Sequence, residues 1–464
     1  MELRKKSKSY EMDMCSGPIF VKIVMFAIPL MLSGILQLLF NAADIIVVGR
    51  FAGSESLAAV GSTSSLINLL INVFIGLSVG TNVLVARYFG GQQKRDLEET
   101  VHTAMVMAGA GGLLLIVVGV ALANPMLRLM GTPDDVLPLS VLYMQIFFVG
   151  MPANLLYNFG SAVLRAVGDT KRPLYFLLMA GIINVVLNLF FVIALSMGVA
   201  GVALATVISQ CISAFLIVRC LMKTDGDYRL ELKRLRIVKN KMRSIVKIGL
   251  PAGLQGAVFS VSNVLIQSSV NSFGSVAMAG NTASQNIEGF VYNAMNSLYQ
   301  TALSFTSQNF GARKYSRMKR IMAYCLLLVT GVGLVMGDGA LLFGNQLLGI
   351  YSSDPQVIQY GMNRLRIIGS TYYICGLMDC MVGGLRGMGY SIVPMFVSLT
   401  GACAFRVVWI YTIFAACRTL PVLYYSYPVS WGITLAAHLI TYIVGMRKTK
   451  RRWLVGAPED KVKK

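Results

Sequence analysis

Ile28-Pro29-Leu30-Met31-Leu32-Ser33-Gly34 lies 222 residues ahead of Leu250-Pro251-Ala252-Gly253-Leu254-Gln255-Gly256, with proline over proline and glycine over glycine. The same offset sets Asn41 over Asn263 and Phe51 over Phe273. Shortened to 221, it sets Phe89-Gly90 over Phe310-Gly311, Leu164-Arg165 over Leu385-Arg386, Gly168 over Gly389 and Pro173 over Pro394. The chain is therefore a tandem repeat, and what repeats is apolar. Two homologous halves of membrane-spanning helices are a common build of secondary transporters, whose substrate site lies where the halves meet.

Composition agrees with lipid as the solvent. Of the 464 residues, 56% are hydrophobic and only 13% charged, and the mean hydropathy is +0.66. A window of about 19 residues finds twelve apolar segments, near 24–49, 56–84, 100–124, 134–161, 173–195, 199–221, 246–270, 279–306, 318–343, 358–383, 391–416 and 424–446. Each is long enough to cross a hydrocarbon core about 30 Å thick. The basic residues 1–9 are followed by an apolar stretch too long for a cleavable signal, so it is expected to stay as the first span.

A net charge of +21 invites a nucleic-acid reading, and the placement of the charge argues against it. Of the 41 Lys and Arg, 35 fall in the N-terminal tail and start of span 1, in alternate loops or in the C-terminal tail. The other loops hold Arg50, Arg128 and Arg418, while Arg364, Arg366 and Arg406 lie within spans. This positive-inside pattern predicts cytoplasmic termini in a multi-pass protein of the cell membrane. The run Arg229 to Lys247 reads as a topology anchor on anionic lipid. The eight cysteines have no CxxC spacing and only two His accompany them, so neither a disulfide framework nor a metal set is expected.

Six spans per half return the chain to its starting side, so the second half enters the membrane in the same orientation as the first. The expected fold is an all-α integral membrane protein with twelve transmembrane helices. They form two homologous six-helix lobes related by a pseudo-two-fold along the membrane normal. The corresponding boundaries are a tail at 1–18, an N-lobe at 19–222, a basic linker at 223–245, a C-lobe at 246–446 and a tail at 447–464. A cleft between such lobes opens to one side and then the other, which is alternating access.

Charge inside a bilayer is costly and marks function by default. Four acids qualify: Asp44, Glu288, Asp338 and Asp379. Asp44 follows Asn41 by about one helical turn on the same face, and its carboxylate can hold either a proton or a cation. If the two exclude each other, proton entry drives cation release. The bland alternative is an interhelical hydrogen bond from Asp44 to Asn184 or Asn188. For Glu288 and Asp379, contact with cargo or cation stands beside a structural pairing with Arg406 or Arg386. Asp338 sits near a span end and reads as wetted, and His102 and His438 read as packed or interfacial.

The segment Pro29 to Gly49, the paired Leu164-Arg165-Ala-Val-Gly168-Asp169 and Leu385-Arg386-Gly-Met-Gly389-Tyr390, Asn184-Val-Val-Leu-Asn188 and Gln308-Asn-Phe-Gly311-Ala312 carry a resemblance. Together they resemble the multidrug and toxic compound extrusion family, over about residues 17–446. The resemblance implies a twelve-helix, two-lobe fold that exports organic cations or other amphipathic compounds in exchange for H+ or Na+. It also implies that Asp44 is the coupling residue of the N-lobe, assisted at Asn184. Two departures stand out. Where members of the archaeal type carry a second Asp in span 5 this chain has Asn188, and residues 246–270 contain no acid to match the span 7 Glu of other members. The span 10 Asp of those members falls at Cys375, one turn before Asp379. The coupling ion is left open between H+ and Na+.

The Leu-Arg-x-x-Gly repeat is read as a helix stop with a positive-inside Arg, in preference to a substrate role for Arg165 and Arg386. No GxxxxGK[ST] loop is present to supply ATP drive, and no HExxH or GxSxG favours an enzyme. A channel leaves the two-lobe repeat without a task. The alternative within transport is a flippase for a lipid-linked precursor, which needs more cationic groups to meet a pyrophosphate. The expected partners are a small-molecule substrate and membrane lipids, not nucleic acid, with a monomer as the working unit. No cofactor is expected beyond the coupling ion.

Overall fold

The computed structural model describes residues 10–455; the tail segments 1–9 and 456–464 lie outside the described residues. Among these residues every regular element is helical. In the first half the rods are α1 (Ile19–Val47), α2 (Gly53–Gly90), α3 (Lys94–Leu129), the pair α4 (Leu137–Val149) and α5 (Met151–Ala166), α6 (Lys171–Leu189) and α7 (Gly198–Lys223). The second half continues with α8 (Lys239–Asn271), α9 (Ser275–Gly311), α10 (Tyr315–Leu342) and a short α11 (Gly344–Gly349). It closes with the pair α12 (Pro355–Ile367) and α13 (Tyr372–Gly387), then α14 (Ile392–Ser398), α15 (Phe405–Trp409) and α16 (Leu420–Val455). Leaving out the six-residue α11 and counting the two pairs and the α14–α15 rod once each gives the twelve expected.

Nine of these rods are apolar and long enough to cross a bilayer, and α4 with α5, bent by 48°, supplies a tenth. The bend falls at Gly150, ahead of Pro152, which cannot donate into the preceding turn. The second half breaks at the corresponding place, where a 3₁₀ turn at Gly369–Thr371 separates α12 from α13. The remaining two spans, α9 and α12–α13, are long enough but polar: α9 alone contains Asn281, Gln285, Glu288, Asn293 and Asn296. Asn281, Ser284 and Glu288 of α9 and Arg364 of α12 are buried against neighbouring helices, whereas Gln285 is exposed.

Contacts divide the described chain into two compact units. One takes in 10–13 and Leu32–Ala257, the other Met14–Met31 and 258–455. The units depart from a clean split at the linker, because α1 and α8, the opening helices of the two halves, are each shared between them. In the first unit the leading part of α8 lies against α2 through two Gly-x-x-x-Gly pairs, Gly76/Gly80 and Gly249/Gly253. The backbones touch there: a Cβ on Gly253 meets Val73 Cα at 2.6 Å, and one on Gly249 meets the Gly76 oxygen at 2.6 Å. In the second unit the leading part of α1 is held by Phe26 on Phe305 and Phe20 on Tyr324, with ring centroids 5.5 and 5.7 Å apart. Asn309 Nδ2 and Arg317 Nε each donate to the Met14 carbonyl at 3.1 Å, and Lys314 Nζ to that of Cys15 at 2.9 Å. The Gln308-Asn309 motif thus anchors the start of the chain.

Both Leu-Arg-x-x-Gly copies end their helices alike. Asp169 N–H donates to Leu164 O at 2.9 Å and Tyr390 N–H to Leu385 O at 3.0 Å, while Gly168 and Gly389 have φ of 97° and 92°. This is the left-handed helix stop that glycine alone adopts without strain. Arg386, instead of standing in a loop, is buried with Nη1 donating to the Tyr299 hydroxyl at 2.8 Å.

The basic linker is fastened to protein. Arg234 pairs with Glu98 at 2.8 Å and Arg236 with Glu99 at 3.3 Å, and Lys241 with Asp96, all acids in the first two turns of α3. His102 is buried in this clasp, its Nδ1 at 2.8 Å from the Glu98 carbonyl and its Nε2 accepting from Glu231 N–H at 3.1 Å. Three of the eight cations in the run Arg229 to Lys247 are therefore paired with acids of α3. The Tyr228 hydroxyl, whose pKa burial pushes up to about 12, donates to Glu11 at 3.0 Å and ties the linker to the N-terminal residues.

Candidate functional site

The site in the first unit begins with a close approach of α1 and α6. Gly181 lacks a side chain, and the Phe40 ring occupies the place its Cβ would take. One turn further along α1, Asp44 meets Asn188 of α6, whose Nδ2 donates to Asp44 Oδ1. Asn188 Nδ2 also lies 3.3 Å from Asn184 Oδ1, and Asn184 Nδ2 reaches Thr206 Oγ1 of α7 at 3.5 Å. The result is a polar chain from α1 through α6 to α7 within apolar helices. Both helices bearing the pair then switch to π-helical turns, at Val48–Ala52 and Phe190–Ala194, a distortion frequent at functional sites.

Burial and charge set what this chain of groups can do. Asn188 is 0% exposed, and its Oδ1 has no hydrogen-bond partner. Asp44 is half-buried, and among the described residues no cation lies within ion-pair reach of it. A carboxylate, two amide oxygens and a hydroxyl are an all-oxygen set, suited to a proton or a hard cation. The structure brings together Asp44, Asn184 and Asn188, and adds Thr206, which the sequence reading did not single out. It leaves Asn41 exposed and outside the chain.

In the second unit the expected acids part company. Glu288, 4% exposed, is bound bidentately by Arg364 of α12, itself 3% exposed. Arg364 Nε to Glu288 Oε1 is 2.9 Å and Nη2 to Oε2 is 2.7 Å, while Ser284 Oγ donates to Oε1 at 3.1 Å. Arg364 Nη1 donates to Asn281 Oδ1 at 2.9 Å, and Asn281 Nδ2 to Gln267 Oε1 of α8 at 2.9 Å. Both oxygens of Glu288 are therefore engaged in joining α9 to α12, the structural pairing that stood as one of its two expected roles. Its partner is neither Arg386 nor Arg406. Asp379 of α13 is half-buried and, among the described residues, forms no ion pair, with Arg406 or with any other cation.

The remaining candidates are packed or wet. His438 is buried with Nε2 3.0 Å from Ser398 Oγ, and Asp338 is exposed. All eight cysteines are free thiols.

A tandem of helical rods with a polar, acid-centred site inside one unit defines a multi-pass membrane transporter. The MatE family model matches the chain twice, over residues 29–190 and 251–412, and its second match begins 222 residues after the first. The chain belongs to the MatE family, and is a transporter and not an enzyme. It is 28% identical over 382 residues to the probable multidrug resistance protein YoeA of Bacillus subtilis, covering 81% of this chain and 82% of that one. With the multidrug export protein MepA of Staphylococcus aureus it shares 21% over 373 residues, 80% of this chain and 82% of the relative. Its fold is that of a multidrug resistance MATE transporter solved in an outward-facing conformation, with a TM-score of 0.88 at 21% identity, covering 94% of this chain and 98% of the other.

Proposed function

We propose that the protein is a secondary active antiporter of the cell membrane. It exports organic cations, drugs or amphipathic metabolites in exchange for H+ or Na+ by alternating access, and Asp44 is its coupling residue. The observation that carries this reading is a carboxylate within an apolar, span-length helix, bonded to the amide of Asn188, which reaches Asn184 in turn, and paired with no cation among the described residues. A charge so placed is kept where it has work to do. When Asp44 is ionised, Asn188 Nδ2 stabilises it, and the unpartnered Asn188 Oδ1 offers a further acceptor to an incoming H+ or Na+. Occupation by that ion removes the negative charge that holds a cationic cargo. The names of the relatives, multidrug resistance and multidrug export, support drug-like cargo over a lipid-linked precursor.

Asp379 is the second negative contact in this reading, since it lacks a salt-bridge partner where Glu288 has one. The basic loops and tails lie in the cytoplasm, and a single chain suffices. The test is efflux of a fluorescent cation from vesicles holding the purified protein, under a pH gradient and separately under a Na+ gradient. Export driven by one of them is expected, and export driven by neither returns the chain to the flippase reading.

A further inference from the structure

One buried charge takes no part in the scheme above. Arg406 lies on α15, a five-residue helical piece between π-helical stretches at Leu399–Ala404 and Ile410–Phe414. It is 2% exposed. Its guanidinium sits over the rings of Tyr427, 4.3 Å from the centroid, and Trp431, at 5.6 Å. Nε donates to Ser430 Oγ at 2.9 Å, whereas Nη2, equally buried, has no acceptor. Among the described residues no carboxylate is within ion-pair reach.

Aromatic faces offset only part of the cost of burying a guanidinium, and an unfilled donor adds to that cost. The repeat sharpens the point. In the register that sets Pro173 over Pro394, Asn184 falls on Phe405, next to Arg406. Val185 falls on Arg406 itself, so the second half carries a cation where the first carries an apolar side chain. Its π-helical stretch at Ile410–Phe414 matches the one at Phe190–Ala194. The additional stretch at Leu399–Ala404 lies directly before α15 and has no counterpart in α6.

We infer that Arg406 is a receptor for an anionic group, the carboxylate or sulfonate of an aromatic ligand or of the anionic end of a zwitterion. Nη2 donates to the anion, and Tyr372 and Tyr427, whose rings meet Trp431 in a tilted and an edge-on contact at 5.4 and 5.6 Å, line the place of the ligand's ring with it. This goes beyond the coupling scheme and does not depend on Asp44, because binding is measured without a gradient.

Trp431 is a built-in reporter. The full chain, with Trp409→Phe and Trp453→Phe so that Trp431 is the sole tryptophan, is reconstituted in phosphatidylcholine vesicles. It is titrated with para-bromobenzoate, para-bromobenzamide and para-bromobenzylamine, whose bromine quenches indole fluorescence on contact. The expected result is saturable quenching by the benzoate, at a concentration at least about tenfold below that needed for the amide or the amine, and its loss in Arg406→Gln. Equal quenching by all three probes, tighter binding of the amine, or no saturation by the benzoate overturns the inference without recourse to any Arg406 variant. So does unchanged benzoate saturation in Arg406→Gln.

Discussion

Asp44 was legible because acids within the spans are few, and a carboxylate in an apolar helix has to be explained. Its partner was legible only as a pair of candidates, Asn184 and Asn188, and the structure gives Asn188 the direct bond. Asn41 shows the limit of helical spacing, which puts it near Asp44 on α1 without saying which side of the helix faces protein. Glu288 and Arg364, 76 residues apart, show the same limit, since both stood out as intramembrane charges while only the rotation of α9 against α12 joins them. Asn188→Asp sets a second carboxylate beside Asp44, and two such groups do not ionise independently. The expected outcome is folded protein with a shifted pH–transport profile, and an unchanged profile argues against a shared site. Arg364→Met leaves Glu288 buried without its cation and is expected to destabilise by about 3–5 kcal/mol. Adding Glu288→Gln should recover most of this in thermal unfolding, and a single variant as stable as the parent sinks the structural assignment.

Elements were legible where hydropathy alone decides them. All twelve segments follow from the windowed sequence, although α9 and α12–α13 are more polar than the nine rods that are apolar along their length. The Leu-Arg-x-x-Gly stops were read correctly from glycine chemistry, and the π-helical turns after Asp44 and Asn188 had no sequence signature. Nor did the meeting of α2 with α8, although Gly76-x-x-x-Gly80 and Gly249-x-x-x-Gly253 stand plainly in the chain: small-residue spacing says that a helix can be approached, not by which neighbour. Gly76→Ala brings a Cβ against the backbone of Gly253, where no side chain can give way. A loss of about 1–3 kcal/mol is expected, against no measurable loss for Gly61→Ala, where nothing lies within 4 Å. Equal melting temperatures for the two variants contradict the contact.

For the whole molecule, the repeat at an offset of 221 to 222 was readable by eye and is matched by the doubled family model. The sharing of α1 and α8 between units was not, because a repeat fixes what corresponds to what and is silent on which half of a helix packs where. Loop charge sets a topology that single cysteines can check. Those placed in 311–317 or in the linker are expected to resist an impermeant thiol reagent on intact cells, while those near Thr132 and Asp354 react; the reverse pattern overturns the cytoplasmic assignment. The scheme as a whole rests on one carboxylate, and Asp44→Asn removes its charge while keeping its size and hydrogen bonds. In vesicles at matched protein incorporation, this variant is expected to lose export driven by a pH or Na+ gradient while still exchanging labelled for unlabelled substrate. Gradient-driven export at the parent's rate would contradict the assignment of Asp44 as the coupling residue.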